Sequence, residues 1–268
     1  ASFEIKVGMY SNLDRFTRFF VSHDIFLIVR EEIAEIVSEK FPEYHVNPKN
    51  IKSGYCINGR VLWNKNSHDM LLSKNIKDGE LCFYNQNENL LLTNFYKQKY
   101  FNDSFSNQSN LSKINYLWDA LDLFDKFLEE DFNSLELRES FIDEETTKYI
   151  NRNKIYVSKN ATLRKGVILD AEKGPVIIRK SAVVDIGSII QGPVLIEENA
   201  YISPCAKIRP NTLIGYGCKV GGEITNTIFN AYSNKVHDGF LGHSYIGEWV
   251  NIGAGTNNSN LKNNYGKV

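Results

Sequence analysis

The run His237-Asp238-Gly239-Phe240-Leu241-Gly242-His243, continuing to Thr256, holds the residues best suited to chemistry in this chain. Two of its five histidines lie there, His237 and His243, spaced six residues apart. An imidazole titrates near neutral pH, so either ring can take a proton from a reacting group or bind a metal ion. Upstream, Arg209 precedes Pro210; a guanidinium can grip a phosphate through two parallel hydrogen bonds. Between Ala1 and Asn153 the sequence has no Gly-x-Gly or Gly-rich, Arg-bearing loop of the kind that cradles a triphosphate beside a magnesium-binding carboxylate. Cys56, Cys82, Cys205 and Cys218 form no Cys-x-x-Cys pair and no metal-ligand spacing. Cys82 and Cys218 read as core filling.

The elements that must position these residues follow a period of six. Ile178, Val184, Ile190, Ile196, Ile202, Ile208, Ile214 and Val220 recur at every sixth place, and Ala182, Ser188, Val194, Ala200, Ala206, Thr212 and Cys218 follow at small or β-branched positions. Neither a helix nor an alternating strand has that period; it is the hexapeptide repeat of a parallel β-helix. Val157, Leu163 and Leu169 extend it upstream, before an insertion around Glu172–Gly174 shifts the frame. Downstream, Ile228, Phe240, Ile246 and Ile252 resume it out of phase. The segment Gly221-Gly222-Glu223-Ile224-Thr225 is therefore expected to bulge as a loop, where such folds carry function. Six residues on a three-sided coil place His237 and His243 on adjacent faces, and the repeat half has no third histidine. That argues against a metal centre.

The front half reads as α/β. Ile25–Val29 is a strand, and Glu31–Phe41 a helix with Ile33, Ile36, Val37 and Phe41 as its stripe, ended by Pro42. Asn58-Gly59 is either a turn or a bend within a strand. Leu81–Tyr84 and Leu90–Thr93 read as a hairpin, Asn102–Ser112 as loop, and Lys113–Asp131 as a helix with Ile114, Leu117, Trp118, Leu121, Phe124 and Leu128 on one face. The expected fold class is thus an α/β domain over 1–150 followed by a β-helix over 151–268.

The first of these carries 17 basic and 24 acidic residues, the second 14 and 8. A basic solenoid means either ordinary surface solubility or an anionic ligand such as a sugar phosphate. Nucleic acid is not expected, because no Lys/Arg stripe interleaves with aromatics. No membrane partner is expected either, with no apolar run near eighteen residues and no signal peptide; the reading is cytoplasmic. The chain starts at Ala1 and stops at Val268 beside a strong repeat segment, so it is expected to be part of a longer protein.

From His237 to Thr256 the sequence resembles the acetyltransferase half of the bifunctional uridylyltransferase/glucosamine-1-phosphate acetyltransferases. There His-x-x-Tyr-Leu-Gly and Ile-Gly-x-x-Val-Asn-Ile-Gly-Ala-Gly-Thr precede an Asn-Tyr pair, and an Arg-Pro lies upstream as Arg209-Pro210 does here. The whole chain is similar to a divergent branch, the sugar nucleotidylyltransferase-like proteins with a β-helix tail, in which Asn-Leu stands for Asn-Tyr, as in Asn260-Leu261. Cys56–Leu62 and Tyr116–Asp119 resemble that branch too. The resemblance implies a left-handed β-helix, a homotrimer, acetyl-CoA as co-substrate and Mg²⁺ for nucleotidyl transfer in the complete protein.

Carried over residue by residue, it makes His237 the general base and Arg209 the sugar-phosphate contact. Asn251 and Asn260 become substrate contacts, and Ala254 lies beside the pantetheine of the acyl-CoA. Phe240 stands where the family has a phosphate-contacting tyrosine, and Thr225 where it has a lysine; each charged hydrogen bond lost forfeits roughly 1.5–3 kcal/mol. The expected function is a sugar-1-phosphate nucleotidylyltransferase-type protein with an acetyltransferase domain, acting on amino-sugar phosphates toward UDP-N-acetylglucosamine-like products. Its partners would be a sugar phosphate and a nucleoside triphosphate. The alternative is a non-catalytic trimerising scaffold, or a nucleotidylyltransferase whose acyltransferase domain has decayed. Lacking a phosphate loop, the polypeptide as written is not expected to make a nucleotide sugar from UTP or dTTP, whereas a longer chain with its natural N-terminus is.

Overall fold

The computed structural model describes residues 1–21, 23–72, 82–85, 90–91, 112–135 and 146–258. Contacts divide the chain into two units, Ala1–Lys6 with Tyr10–Asn115 and Val7–Met9 with Tyr116–Val268.

The first unit is α/β. Helix Asn12–Phe19 begins at a capping box: the Ser11 hydroxyl accepts from Asp14 N at 3.1 Å, and the Asp14 carboxylate accepts from Ser11 N at 3.0 Å. Phe26–Leu27 pairs in parallel with His45–Val46, and helix Glu31–Lys40 makes the crossover. Val37 is buried, with Ile33 and Phe41 packed alongside it against Phe3, Leu13, Leu27 and Val29. Ile36, expected on that stripe, is 65% exposed, because the row at spacing four (33, 37, 41) faces the core and position 36 turns away. Asn58-Gly59 is a turn, with Asn58 Oδ1 accepting from Arg60 N at 3.0 Å. The expected hairpin is not formed among the described residues. Cys82–Asn85 instead pairs antiparallel with Gly54–Ile57, and Leu90–Leu91 with Asn50–Ile51. Leu92, Thr93 and most of the 102–112 stretch lie outside the described residues.

The second unit is a left-handed parallel β-helix with helices on one side. Its first face stacks Ile155–Val157, Val176–Ile178, Val194–Ile196, Thr212–Ile214, Thr227–Phe229 and Ser244–Ile246. The second stacks Thr162–Leu163, Val183–Val184, Tyr201–Ile202, Lys219–Val220 and Asn234–Lys235. The third runs from Lys148–Ile150 through Ile168–Asp170, Ile189–Gln191 and Lys207–Ile208 to Glu223–Thr225 and Phe240–Gly242. All eight aliphatic repeat residues from Ile178 to Val220 are fully buried, as are Ala182, Ser188, Val194, Thr212 and Cys218. The inward ladder of the sequence is real.

The expected bulge at Gly221–Thr225 is not. Regular coils advance by 18 residues, as in Val176↔Val194↔Thr212, but the next rungs advance by 15 (Thr212↔Thr227, Lys219↔Asn234) and 16 (Lys207↔Glu223). The frame shift is a shortening. Glu223–Phe229 forms one seven-residue strand across the corner between the third and first faces. In consequence Ile224, Phe229, Lys235 and Leu241 continue the inward rows, while Ile228 and Phe240 point outward.

Helix formation before the solenoid starts later than expected, over Asp119–Asp122 and Phe124–Ser134. The Asp119 carboxylate accepts from Tyr116 N at 2.9 Å and fixes that start. Leu121, Phe124, Phe127 and Leu128 are buried, whereas Leu117 and Trp118 are exposed and Trp118 stacks on Tyr116. Ile177, Leu195, Leu213 and Ile228 alternate outward from the first face yet are fully buried. Helix Asp119–Asp122 lies against Glu223–Phe229 and Phe240–Ile246. One face of the solenoid is thus covered by the chain's own helices.

Candidate functional site

The corner between the second and third faces carries His237 and, on the next coil, Ala254. Successive coils turn there at Ser203–Ala206, Gly221-Gly222, Val236–Gly239 and Gly253–Thr256. The glycines have a steric reason. A Cβ on Gly221 would lie 2.1 Å from Val236 O, and one on Gly239, whose φ is +132°, 2.3 Å from Thr256 O. With no side chain at 221, the Ser203 hydroxyl reaches past that coil and donates to Val236 O at 3.0 Å. Lys235 Nζ donates to His237 O at 2.9 Å, and Gly255 N to Asp238 O at 3.1 Å. Three consecutive carbonyls are therefore held by three different segments, while the His237 and Asp238 side chains stay exposed.

Beside this corner is a pocket of about 310 Å³ lined by Cys205, Lys207, Glu223, Asp238, Phe240 and Asn257, with Gly222 and Gly239 in its wall. Lys207, Glu223 and Phe240 stand opposite one another on neighbouring coils. The Phe240 ring lies over Gly242, where a Cβ would meet it at 2.8 Å. Arg209 is exposed on the same face and forms an ion pair with Glu223 at 2.8 Å. Thr225 is in register with Gly242, on the coil next to Arg209, whose backbone amide donates to Ile224 O. Asn251 bridges to Asn234 on the second face, and Ala254 is exposed in the turn stacked on His237–Gly239. His243 stands at a different corner, between the third and first faces, with φ +50°. Asn260 lies outside the described residues.

Several contributors escaped the sequence reading. Glu223, Asp238 and Lys207 look like ordinary surface charges until the register places them on one pocket. Asn257 and Asn258 look like loop residues, yet Asn257 Oδ1 accepts from Phe240 N at 2.6 Å and Asn258 Oδ1 from Gly242 N at 2.9 Å. Lys235 is the least expected: a fully buried lysine in an aliphatic row, between Val220 and the next rung. Burial pushes its ammonium below the ordinary value of 10.5, and Asp238 pulls partly in the other direction. Between those two values the unfolded chain binds more protons than the folded one, so stability rises as pH rises through that window. Urea midpoints followed as pH rises toward 10.5 should show this contribution in the wild type. In Lys235→Met it should be absent, and equal slopes would contradict the assignment.

Among the described residues no group of three or more His, Cys, Asp or Glu side chains is placed to hold a metal ion. No helix among them is long and apolar enough to cross a membrane.

Residues 1–140 match the family model described as sugar nucleotidyl transferase. The chain is 32% identical over 133 residues to the bifunctional protein GlmU of Alkaliphilus metalliredigens, covering 43% of this chain and 28% of that protein. It is 40% identical over 63 residues to the GlmU of Thermodesulfovibrio yellowstonii, covering 23% of this chain and 14% of that one. The GlmU of Nostoc sp. is 28% identical over 131 residues, covering 41% and 29%. The chain thus spans less than a third of the length of these relatives. With more than half of its residues inside the family model and a hexapeptide solenoid behind them, this chain belongs to the sugar nucleotidyl transferase family.

Proposed function

We propose that the solenoid transfers an acetyl group from acetyl-CoA to the amine of an amino-sugar phosphate, on the way to a UDP-N-acetylglucosamine-like nucleotide sugar. The observation that carries this reading is the His237 corner. Its backbone is held on three sides while the imidazole is exposed next to a pocket that mixes Lys207, Glu223 and Asp238 with the flat face of Phe240. In the step proposed, the amine nitrogen attacks the thioester carbonyl, forming the N–C bond as the C–S bond breaks. His237 takes the proton that nitrogen sheds and passes it to the departing thiolate. Arg209 anchors the phosphate; since Glu223 holds its guanidinium, the phosphate must share or displace that carboxylate. Phe240 packs on the sugar, Asn251 and Asn260 contact the substrate, and Ala254 lies along the acyl-CoA arm.

The nucleotidyl-transfer half-reaction, with a sugar 1-phosphate, a nucleoside triphosphate and Mg²⁺, belongs in this reading to the complete protein and rests on the match over 1–140. We place the protein in the cytoplasm, in keeping with free thiols at Cys56, Cys205 and Cys218. We also propose a homotrimer with the His237 corner at a subunit boundary, as the resemblance of the repeat half implies.

Acetyl-CoA-dependent thiol release is expected with glucosamine 1-phosphate or another amino-sugar phosphate, alongside a trimer mass by light scattering. The Arg209–Glu223 pair and the missing Phe240 hydroxyl favour a second reading, a trimerising scaffold. A trimer with no turnover on any amino-sugar phosphate would select it; a monomer at micromolar concentration would reject the assembly.

A further inference from the structure

Every other described inward position of the second face is aliphatic: Leu163, Val184, Ile202 and Val220 lead to Lys235, and Ile252 follows. An ammonium removed from water is expensive unless its hydrogen bonds are replaced, and an apolar side chain of similar size there is commonly neutral or stabilising. Packing therefore does not account for a lysine. What the lysine reaches does. Its Nζ donates to the carbonyl of His237, two residues ahead, and among the described residues no backbone amide donates to that carbonyl. The neighbouring carbonyls are differently held, Val236 O by the Ser203 hydroxyl and Asp238 O by the Gly255 amide. The shortened coil explains the gap. At regular corners the matching carbonyl takes an amide from the next coil, Lys165 O from Gly187 N and Ile186 O from Cys205 N, but after the short coil the next coil's Gly255 N meets Asp238 O instead.

We propose that Lys235 is a positioning residue for the acyl-transfer site, an ammonium inside the coil that fixes the His237 peptide and through it the direction of the imidazole. This rests on the acyl-transfer reading for its kinetic consequence but not for its structural one. With the tether gone, the ring would keep its chemistry and lose its aim. A misplacement of about 1 Å costs up to about 100-fold in rate.

The test uses the full chain carrying Lys235→Met, with Lys235→Gln as a second variant that keeps a donor one bond short. Isotope-labelled histidine gives the His237 ring signals, assigned by their loss in His237→Ala. The expected result is a thermal midpoint for Lys235→Met no lower than wild type, with shifted or broadened His237 ring signals. Its kcat should fall by about 10–100-fold at nearly constant KM, and Lys235→Gln should lie in between. Unchanged ring signals in a folded Lys235→Met protein would overturn the proposal, and so would an unchanged kcat. A wild type without turnover, whose ring signals still move in Lys235→Met, would instead overturn the acyl-transfer reading and leave the tether standing.

Discussion

On the acyl-transfer proposal, replacing His237 by alanine should lower acetyl transfer to an amino-sugar phosphate by about 10²–10⁴-fold, the range expected when a positioned base is removed. The protein should otherwise stay intact. The imidazole is exposed, the corner's hydrogen bonds run through backbone carbonyls that alanine retains, and no row of the core includes position 237. The loss should fall on kcat, because proton removal matters as nitrogen attacks and not while the sugar sits bound. Arg209→Ala is the matching control. An anchor that holds phosphate equally in ground and transition states raises KM with little change in kcat. Steady-state rates of thiol release, with thermal melts of each variant, separate the two. If His237→Ala keeps the wild-type rate, the base lies elsewhere whatever the activity of the protein.

Ile196→Ala should cost the solenoid about 2–5 kcal/mol of unfolding free energy. Ile196 is fully buried on the first face and stacks in register between Ile178 and Ile214. Coils hydrogen-bonded on both sides cannot close onto the missing methyls, so the void persists and its lining loses contacts. The measurement is the urea midpoint at unchanged m-value. A loss under about 1 kcal/mol would mean that the ladder relaxes far more freely than its register implies. Lys235→Met, on an equally buried rung, is expected to cost nothing. A ladder that tolerates one and not the other is held together by apolar contact.

The solenoid was legible because its signal is local: one aliphatic residue per rung, at fixed spacing, names the architecture before any partner is known. The same signal misled after Val220. A search for apolar residues passes over Lys235, and the frame then has to settle on Ile228 and Phe240, which point outward. A short coil read that way looks like a bulging loop. The site divides similarly. His237, Arg209 and Phe240 were marked by a motif, whereas Glu223, Asp238 and Lys207 become neighbours only through coils 15 to 17 residues long. In the first unit, strand positions followed from composition, but the partners of Cys82–Asn85 and Leu90–Leu91 did not, since alternation says nothing about which strand lies opposite.

The helices Asp119–Asp122 and Phe124–Ser134 decide where this protein can be cut. Ile177, Leu195, Leu213 and Ile228 form an oily strip along the outside of the β-helix, and its dryness belongs to a segment ending some twenty residues before the first regular repeat. A fragment begun at residue 151 would lose only the Lys148–Ile150 rung from the coils and still expose that strip, inviting it to stick to its own copies. A fragment begun at Tyr116 keeps both helices over it and gives up only Val7–Met9 of that unit.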